Sequence, residues 1–146
     1  MNDSPFFDTN VLLYAAVEDD PRAEIARALL AKGGSISVQG LNEFASVARR
    51  KLGRPWGEIS EQLSAIRDLC PTAVPVTVEA HQHALAVADR YGYSFWDALV
   101  IAAALDAHAT VLYSEDMQDG QVIEGMRIQN PFLSKTGHPR STHIVH

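Results

Sequence analysis

The residues best suited to chemistry are acids that follow short apolar runs. Asp8 ends the run Pro5-Phe6-Phe7, and Ser114-Glu115-Asp116 ends the run Thr110 to Tyr113. Asp97 stands at the start of an apolar stretch, Phe95 to about His108, that carries no other charge before Asp106. A carboxylate in such surroundings is costly unless it is hydrogen-bonded, paired or bound to a cation. Ser94-x-x-Asp97 reads equally well as a capping box at a helix start, and from this segment alone the two readings stand level. Glu43 falls nearly opposite the stripe Leu41, Phe44, Ala45 and Ala48, so by pattern it is a solvated glutamate in a helical N-terminal turn. Asp119 lies in a Gln-Asp-Gly turn, which accounts for it without chemistry. Three or four of these carboxylates converging with no Lys or Arg between them would need a cation at neutral pH. Hard oxygen ligands favour Mg²⁺ or Mn²⁺ over zinc.

Other chemistries find less support. His81 sits on an apolar stripe and reads as a core histidine, His83 falls off it, and His138, His143 and His146 crowd the C-terminal end. No zinc-binding His spacing and no Gly-rich phosphate loop occurs. The single cysteine, Cys70, excludes an internal disulfide and a Cys-based zinc site, and it fits a reducing, cytoplasmic setting. Twelve Lys and Arg against eighteen Asp and Glu give a net charge of -6, which excludes a globally cationic nucleic-acid binder. A local basic patch remains in Arg49, Arg50, Lys51 and Arg54. The run Val11 to Val17 follows Asp3 and Asp8 with no basic residue ahead of it, so it is neither a signal peptide nor a membrane span.

The elements that must position these acids follow from the pattern. With 146 residues, 47% hydrophobic and 21% charged, the chain suits one globular domain. Pro5 to Phe7 reads as a buried strand, and Val11 to Val17 as a segment of mixed helix and strand propensity. Asp20-Pro21 caps a helix that Gly33-Gly34 ends, and Ser35 to Val38 is the second strand. Helices then run up to Gly53 and from Pro55 to before Pro71, the second with Trp56, Ile59, Leu63, Ile66 and Leu69 on one face. Ala73 to Val76 is a third strand, and Pro75 favours an edge place for it. Thr77 caps a helix with Val78, His81, Leu85, Ala88 and Tyr91 on a stripe, which Gly92 ends. Ser94 caps the next helix, apolar almost all round and therefore a core helix. Thr110 to Tyr113 and Met126 to Gln129 are the fourth and fifth strands. Alternating strands and helices imply a mainly parallel sheet covered on both faces. If the strand order is 3-2-1-4-5, Asp8 and Asp116 share the cleft at the carboxyl ends of neighbouring strands. Residues 1–133 form the domain, and 134–146 a polar tail expected to be mobile.

Four segments carry a resemblance: Phe7-Asp8-Thr9-Asn10-Val11-Leu12-Leu13-Tyr14, Asn42-Glu43-Phe44, Ser94-Phe95-Trp96-Asp97-Ala98-Leu99 and Leu112-Tyr113-Ser114-Glu115-Asp116-Met117. The chain resembles PIN-domain ribonucleases, and among them VapC toxins of bacterial toxin-antitoxin pairs, in order from Pro5 through Phe132. The resemblance implies a three-layer α/β/α fold with a five-stranded sheet of order 3-2-1-4-5. It implies that Asp8, Glu43, Asp97 and Asp116 hold one or two Mg²⁺ or Mn²⁺ ions, with Asn10 and Ser114 in support, and it moves Glu43 from the surface into the pocket. Asp119 ranks below these as a supporting residue, since family members vary there. The family likeness further implies a homodimer and a small antitoxin that fills hydrophobic grooves and blocks the pocket with a basic residue.

The expected reaction is hydrolysis of an RNA phosphodiester by metal-activated water, leaving a 5′ phosphate and a 3′ hydroxyl by family likeness. Arg49, Arg50, Lys51 and Arg54 are expected to contact flanking phosphates, although charge at a helix C-terminus explains part of the cluster. Single-stranded loops, including those of tRNA, are the expected targets because their bases are accessible. The alternative is a non-catalytic PIN-like module that binds RNA or protein, against which the presence of all four acids weighs. A haloacid-dehalogenase-like enzyme would want an Asp where Asn10 stands, and a response-regulator receiver a Lys earlier than Lys135.

Overall fold

The computed structural model describes residues 3–133. The polar tail expected over 134–146, with His138, His143 and His146, lies outside the described residues.

Strand β1 (Pro5–Phe7) occupies the middle of the sheet, and its two phenylalanines divide the core. Successive residues of a strand point to opposite faces. Phe6 accordingly packs with the apolar side chains of the later helices, and Phe7 with those of the earlier ones. The remaining strands are β2 (Ser35–Ser37), β3 (Thr72–Val74), β4 (Val111–Tyr113), β5 (Val122–Ile123) and β6 (Met126–Gln129). Their order is β3-β2-β1-β4-β6-β5, parallel throughout except that β5 pairs antiparallel with β6. The five strands read from the sequence stand in the expected order, with β6 as the fifth and β3 at an edge. The sixth, β5, was not expected. Its two residues are too few for a periodic signal, and Gly125 at φ +85° with Glu124 at φ +49° turns the chain back between β5 and β6.

Helices α1 (Thr9–Ala15), α2 (Pro21–Ala31), α3 (Val38–Arg50) and α4 (Trp56–Leu69) cover one face; α5 (Val78–Tyr91) and α6 (Phe95–Asp106) cover the other. The ambiguous segment after Asp8 is helix: α1 begins at Thr9, with Asp8 as its N-cap. Val38 belongs to α3 rather than to β2, because Ser37 caps the helix by accepting from Gly40 N at 2.9 Å. Gly34 enters β2 so close to β1 that a Cβ there would lie 2.6 Å from the Phe7 ring and 2.8 Å from the Pro5 carbonyl oxygen. Gly92, at φ 76°, supplies the left-handed turn that ends α5 and lets α6 start three residues later.

Two expectations about the second layer are corrected. The face of α5 turned inward is Ala80, Ala84 and Val87, whereas Val78, His81 and Leu85 are exposed. His81 is therefore not a core histidine; its ring meets Phe95 edge-on at 5.6 Å, and His83 Nδ1 pairs with Asp106 at 3.1 Å. Small residues win the interior place because α6 opposes them with Ala98, Ala102, Ala103 and Ala104, so the helices approach closely. Nor is α6 buried all round. Trp96, in its first turn, is 63% exposed.

Candidate active site

Each of the four acids is brought to the carboxyl end of the sheet by a different element. Because β1 and β4 are adjacent and in register, Phe7 opposite Tyr113, the residues that follow them meet. Asp8 N donates to the Tyr113 carbonyl oxygen at 3.0 Å, and the Ser114 hydroxyl donates to Asp8 Oδ2 at 2.8 Å. Asp8 Oδ1 accepts from Thr9 N at 2.7 Å, which starts α1 and fixes the carboxylate. Two residues beyond Asp8, Asn10 Nδ2 donates to Asp116 Oδ2 at 3.2 Å. From α3, Glu43 accepts from the Thr9 hydroxyl at 3.1 Å and from Gln39 Nε2 at 3.4 Å. Ser94 caps α6 by accepting from Asp97 N at 3.3 Å, so the capping contact at that helix start is real. It coexists with the other reading rather than replacing it. A single pocket of about 150 Å³ is lined by Asp8, Thr9, Asn10, Glu43, Val47, Trp96, Asp97, Val100 and Asp116.

The electrostatics of this pocket are those of crowded like charges. Burial pushes the Asp8 carboxyl up to about 7, against the hydrogen bonds from Ser114 and Thr9, and the charges of Glu43 and Asp116 add to the rise. Asp97 is raised in the same way, first by burial and then by Asp116, with a smaller part from Glu43 and an opposing hydrogen bond from Ser94. Among the described residues that line it there is no Lys, Arg or His. Among the described residues no three His, Cys, Asp or Glu side chains are grouped closely enough to form a ready-made metal cage. Three of the four carboxylates, those of Asp8, Glu43 and Asp116, are instead held by the donors just described. The donor set nevertheless fits a hard divalent cation: apart from the Trp96 indole, the polar side chains of the described lining offer oxygen, and a cation among them would offset both the burial and the neighbouring charges that raise Asp8 and Asp97. Among the described residues Asn10 Oδ1 is also buried without a hydrogen-bond partner, an unsatisfied oxygen acceptor on a residue that lines the pocket.

The other expected site residues divide. Asn10 lines the pocket, and Ser114 reaches Asp8 from behind it. Asp119 does not line the pocket; its carboxylate accepts from Asn130 N at 2.7 Å and ties the loop before β5 to the chain just after β6. Arg49, Arg50 and Lys51 are exposed at the C-terminal end of α3, two turns beyond Glu43. Arg49 is engaged within the helix hairpin, donating to the Arg54 carbonyl oxygen at 3.2 Å and lying 5.2 Å over the Trp56 ring. Arg54 is half-buried. Arg50, seven residues past Glu43, falls on the same helix face as Glu43 and Val47.

Pattern reading missed the pocket roles of Thr9, Val47, Trp96 and Val100, all lining residues. A helical count from Glu43 to Val47, and from Trp96 to Val100, places each pair on one face and would have found them. It also missed where Glu115 goes. Beyond the end of β4 the chain bends, and Asp116 turns to the pocket while Glu115 turns into the protein. Glu115 is buried against Arg22 Nη1 at 3.1 Å and the Tyr14 hydroxyl at 2.6 Å. The same guanidinium binds Asp20 through Nε and Nη2 and sits 4.3 Å over the Tyr14 ring.

Comparison with known proteins bears on the fold and the family. No curated protein sequence matches the chain significantly. Among solved structures, the sarcin-ricin loop cleaving toxin VapC20 of Mycobacterium tuberculosis superposes with a TM-score of 0.63 at 24% identity, over 77% of this chain and 90% of that one. A toxin-antitoxin complex from Klebsiella pneumoniae superposes with a TM-score of 0.67 at 18% identity, over 88% of this chain and 98% of that chain. At these identities the likeness establishes the shared fold. The sequence model of the PIN domain matches residues 6–118, a span that holds all four pocket acids and stops short of Asp119, and the chain belongs to the PIN domain family.

Proposed function

We propose that this protein is a divalent-metal-dependent ribonuclease, the VapC-like toxin of a toxin-antitoxin pair. The observation that carries the reading is the convergence of Asp8, Glu43, Asp97 and Asp116, from four separate elements, on one pocket whose lining among the described residues has no basic side chain. The family and the two toxin structures of the same fold support it.

In this reading the four carboxylates hold Mg²⁺ or Mn²⁺. When bound, the ion supplies Lewis-acid activation of water for in-line attack on an RNA phosphodiester and neutralises charge on the phosphoryl oxygens. The chain's own residues aim and hold. The Ser114 hydroxyl and the Thr9 amide fix both oxygens of Asp8, and Asn10 fixes one oxygen of Asp116. Thr9 and Gln39 together orient Glu43. Arg50 and Lys51 stand beyond Val47 to meet flanking phosphates, without entering the pocket where they would neutralise the acids. A small antitoxin that presents a basic side chain to these carboxylates would inhibit by direct charge pairing. The homodimer and antitoxin contacts of this reading have exposed apolar side chains to use, including Trp56 at 59%, Val78 at 67% and Leu85 at 51%. No helix among the described residues is long and apolar enough to cross a membrane, which agrees with a cytoplasmic enzyme.

The test is cleavage of single-stranded RNA by the purified protein with Mg²⁺ or Mn²⁺, with and without excess chelator. Cleavage that the chelator abolishes is expected. Cleavage unaffected by chelator overturns the metal assignment, and RNA bound but never cut identifies a non-catalytic PIN module instead.

A further inference from the structure

The pocket poses a problem of substrate binding that the carboxylates cannot solve. A polyanion has to come close to four acids, and a Lys or Arg placed among them would pair with the acids rather than with the substrate. An uncharged aromatic ring escapes this conflict. It attracts a nucleobase by stacking, which works equally well beside a carboxylate, and it takes any base because every base has a π-face.

Trp96 has that position. It precedes Asp97 in the first turn of α6, lines the pocket together with all four acids, and is 63% exposed. Leaving an indole in water forgoes a large share of the burial that normally holds tryptophan inside. The only other tryptophan, Trp56, is also exposed, but the Arg49 guanidinium lies over its ring. Trp96 has no such cover among the described residues; its ring contact is Phe95, edge-on at 5.6 Å and 73°. Val100, one helical turn on, and Val47 from α3 line the same pocket and extend the apolar surface beside the indole. Acids and apolar surface therefore share one small cleft, the composition suited to a phosphodiester and its adjoining base.

We propose that Trp96 is a stacking platform for an unpaired base of the nucleic-acid substrate, at a nucleotide next to the scissile phosphodiester. The proposal rests on the ribonuclease reading for the identity of the ligand. Since a base can stack on Trp96 only after leaving its neighbours, the site selects single strands, loops or extruded nucleotides over continuous duplex.

The test uses the full chain with Trp56→Phe, which leaves Trp96 as the sole tryptophan and its fluorescence as the reporter. The protein is titrated, with chelator present so that nothing is cut, with an oligoadenylate roughly a dozen nucleotides long and with an abasic oligomer of the same length and charge. Quenching by the oligoadenylate and little by the abasic oligomer is expected. Trp96→Ala should weaken binding of the oligoadenylate roughly ten- to a hundredfold, leave the abasic oligomer unaffected, and be largely rescued by Trp96→Tyr. Equal quenching and equal affinity for the two oligomers overturn the proposal. So does a Trp96 signal that follows protein concentration without RNA, which would mark a contact between protein copies. If stacking is seen while wild-type protein with Mg²⁺ or Mn²⁺ cuts no RNA, the hydrolytic reading fails and the base site stands. Cleavage that discriminates neither bases from abasic positions nor Trp96 from alanine leaves the nuclease reading and removes the base site.

Discussion

Glu115 and Asp116 are consecutive residues with opposite surroundings. Glu115 is sealed in the protein with a cation of the chain's own, the Arg22 guanidinium, and both of its oxygens have donors. Asp116 turns to the pocket with Asp8, Glu43 and Asp97, where the described lining residues offer amide and hydroxyl donors but no basic side chain. The electrostatic results differ accordingly. In the buried cluster, burial works to raise Asp20, but hydrogen bonds and charge from Arg22 outweigh it and hold the carboxyl below its ordinary range. In the pocket the same desolvation is reinforced by neighbouring acids, so Asp8 and Asp97 rise. The fold can neutralise carboxylates internally, and does so one residue away. Its failure to do so in the pocket is a property of the site, not a shortage of suitable residues.

Removing the internal cation is the severest way to break this contrast. Arg22→Met leaves the Glu115 carboxyl buried without its guanidinium, which should cost about 3–5 kcal/mol in urea unfolding. Replacing both, with Arg22→Met and Glu115→Leu, should recover part of that loss, because the buried carboxylate leaves with its cation while Asp20 keeps only the Arg22 amide as a donor. A single variant within 1 kcal/mol of wild type would show that the cluster is not the sealed pair that the distances describe. Asp8→Asn should do the reverse. RNA cleavage should fall by about 10²–10³-fold, a few kcal/mol of transition-state stabilisation, while metal-free stability stays level or rises as acid-acid repulsion is relieved. Parallel melts and cleavage time courses check both; lost stability with retained cleavage would invert the comparison.

This contrast was only half legible in the sequence. Asp8 and Asp116 could be placed because each follows a short apolar strand, and a parallel sheet gathers the carboxyl ends of its strands on one edge. Asp97 stood out because its helix has no other charge nearby. Glu43 could not be read from periodicity, which counts apolar residues and sees one buried face; α3 packs Phe44 and Ala48 inward while a second face borders the pocket. Family resemblance supplied what the stripe could not. The Arg22 cluster escaped for a related reason. A guanidinium in the first turn of α2 and a glutamate 93 residues later form a pair only through tertiary structure. The misplaced face of α5 shows the same limit. Larger apolar residues lose the interior to Ala80 and Ala84 because the partner helix is itself built of alanines, a fact about packing partners that one helix's pattern does not contain.

A gentler probe of the pocket is pH. A carboxyl whose folded-state value is raised binds its proton in the native state while the unfolded chain has already lost it. Stability is then fully present below the unfolded value near 3.8 and is lost as pH rises toward the folded value near 7. Metal-free protein should therefore lose about 1–2 kcal/mol between these limits, less than the whole shift implies because the carboxyl is partly open to solvent. Mg²⁺ or Mn²⁺ should return that stability above pH 7, and Asp8→Asn should flatten the profile. Chemical denaturation at a series of pH values in chelator reads the slope; a wild-type profile that rises through this window would contradict the raised Asp8.

The smallest effect concerns the cations that the pocket keeps at its rim. Arg49 and Arg50 are neighbours in sequence, yet Arg49 closes the α3–α4 hairpin through the Arg54 carbonyl and the Trp56 ring, whereas Arg50 shares the helix face of Glu43 and Val47. Helical geometry thus assigns only one of them to a nucleic-acid track. With labelled single-stranded RNA in chelator, Arg50→Gln should reduce the slope of log affinity against log salt by about 0.7, the loss of one phosphate contact, and weaken binding a few-fold at low salt. Arg49→Gln should leave that slope nearly unchanged and lower stability slightly through the hairpin. If the slope falls with Arg49 and not with Arg50, the substrate runs along the outer side of α4 instead. The basic cluster would then serve a different surface from the one that joins the acids to Trp96.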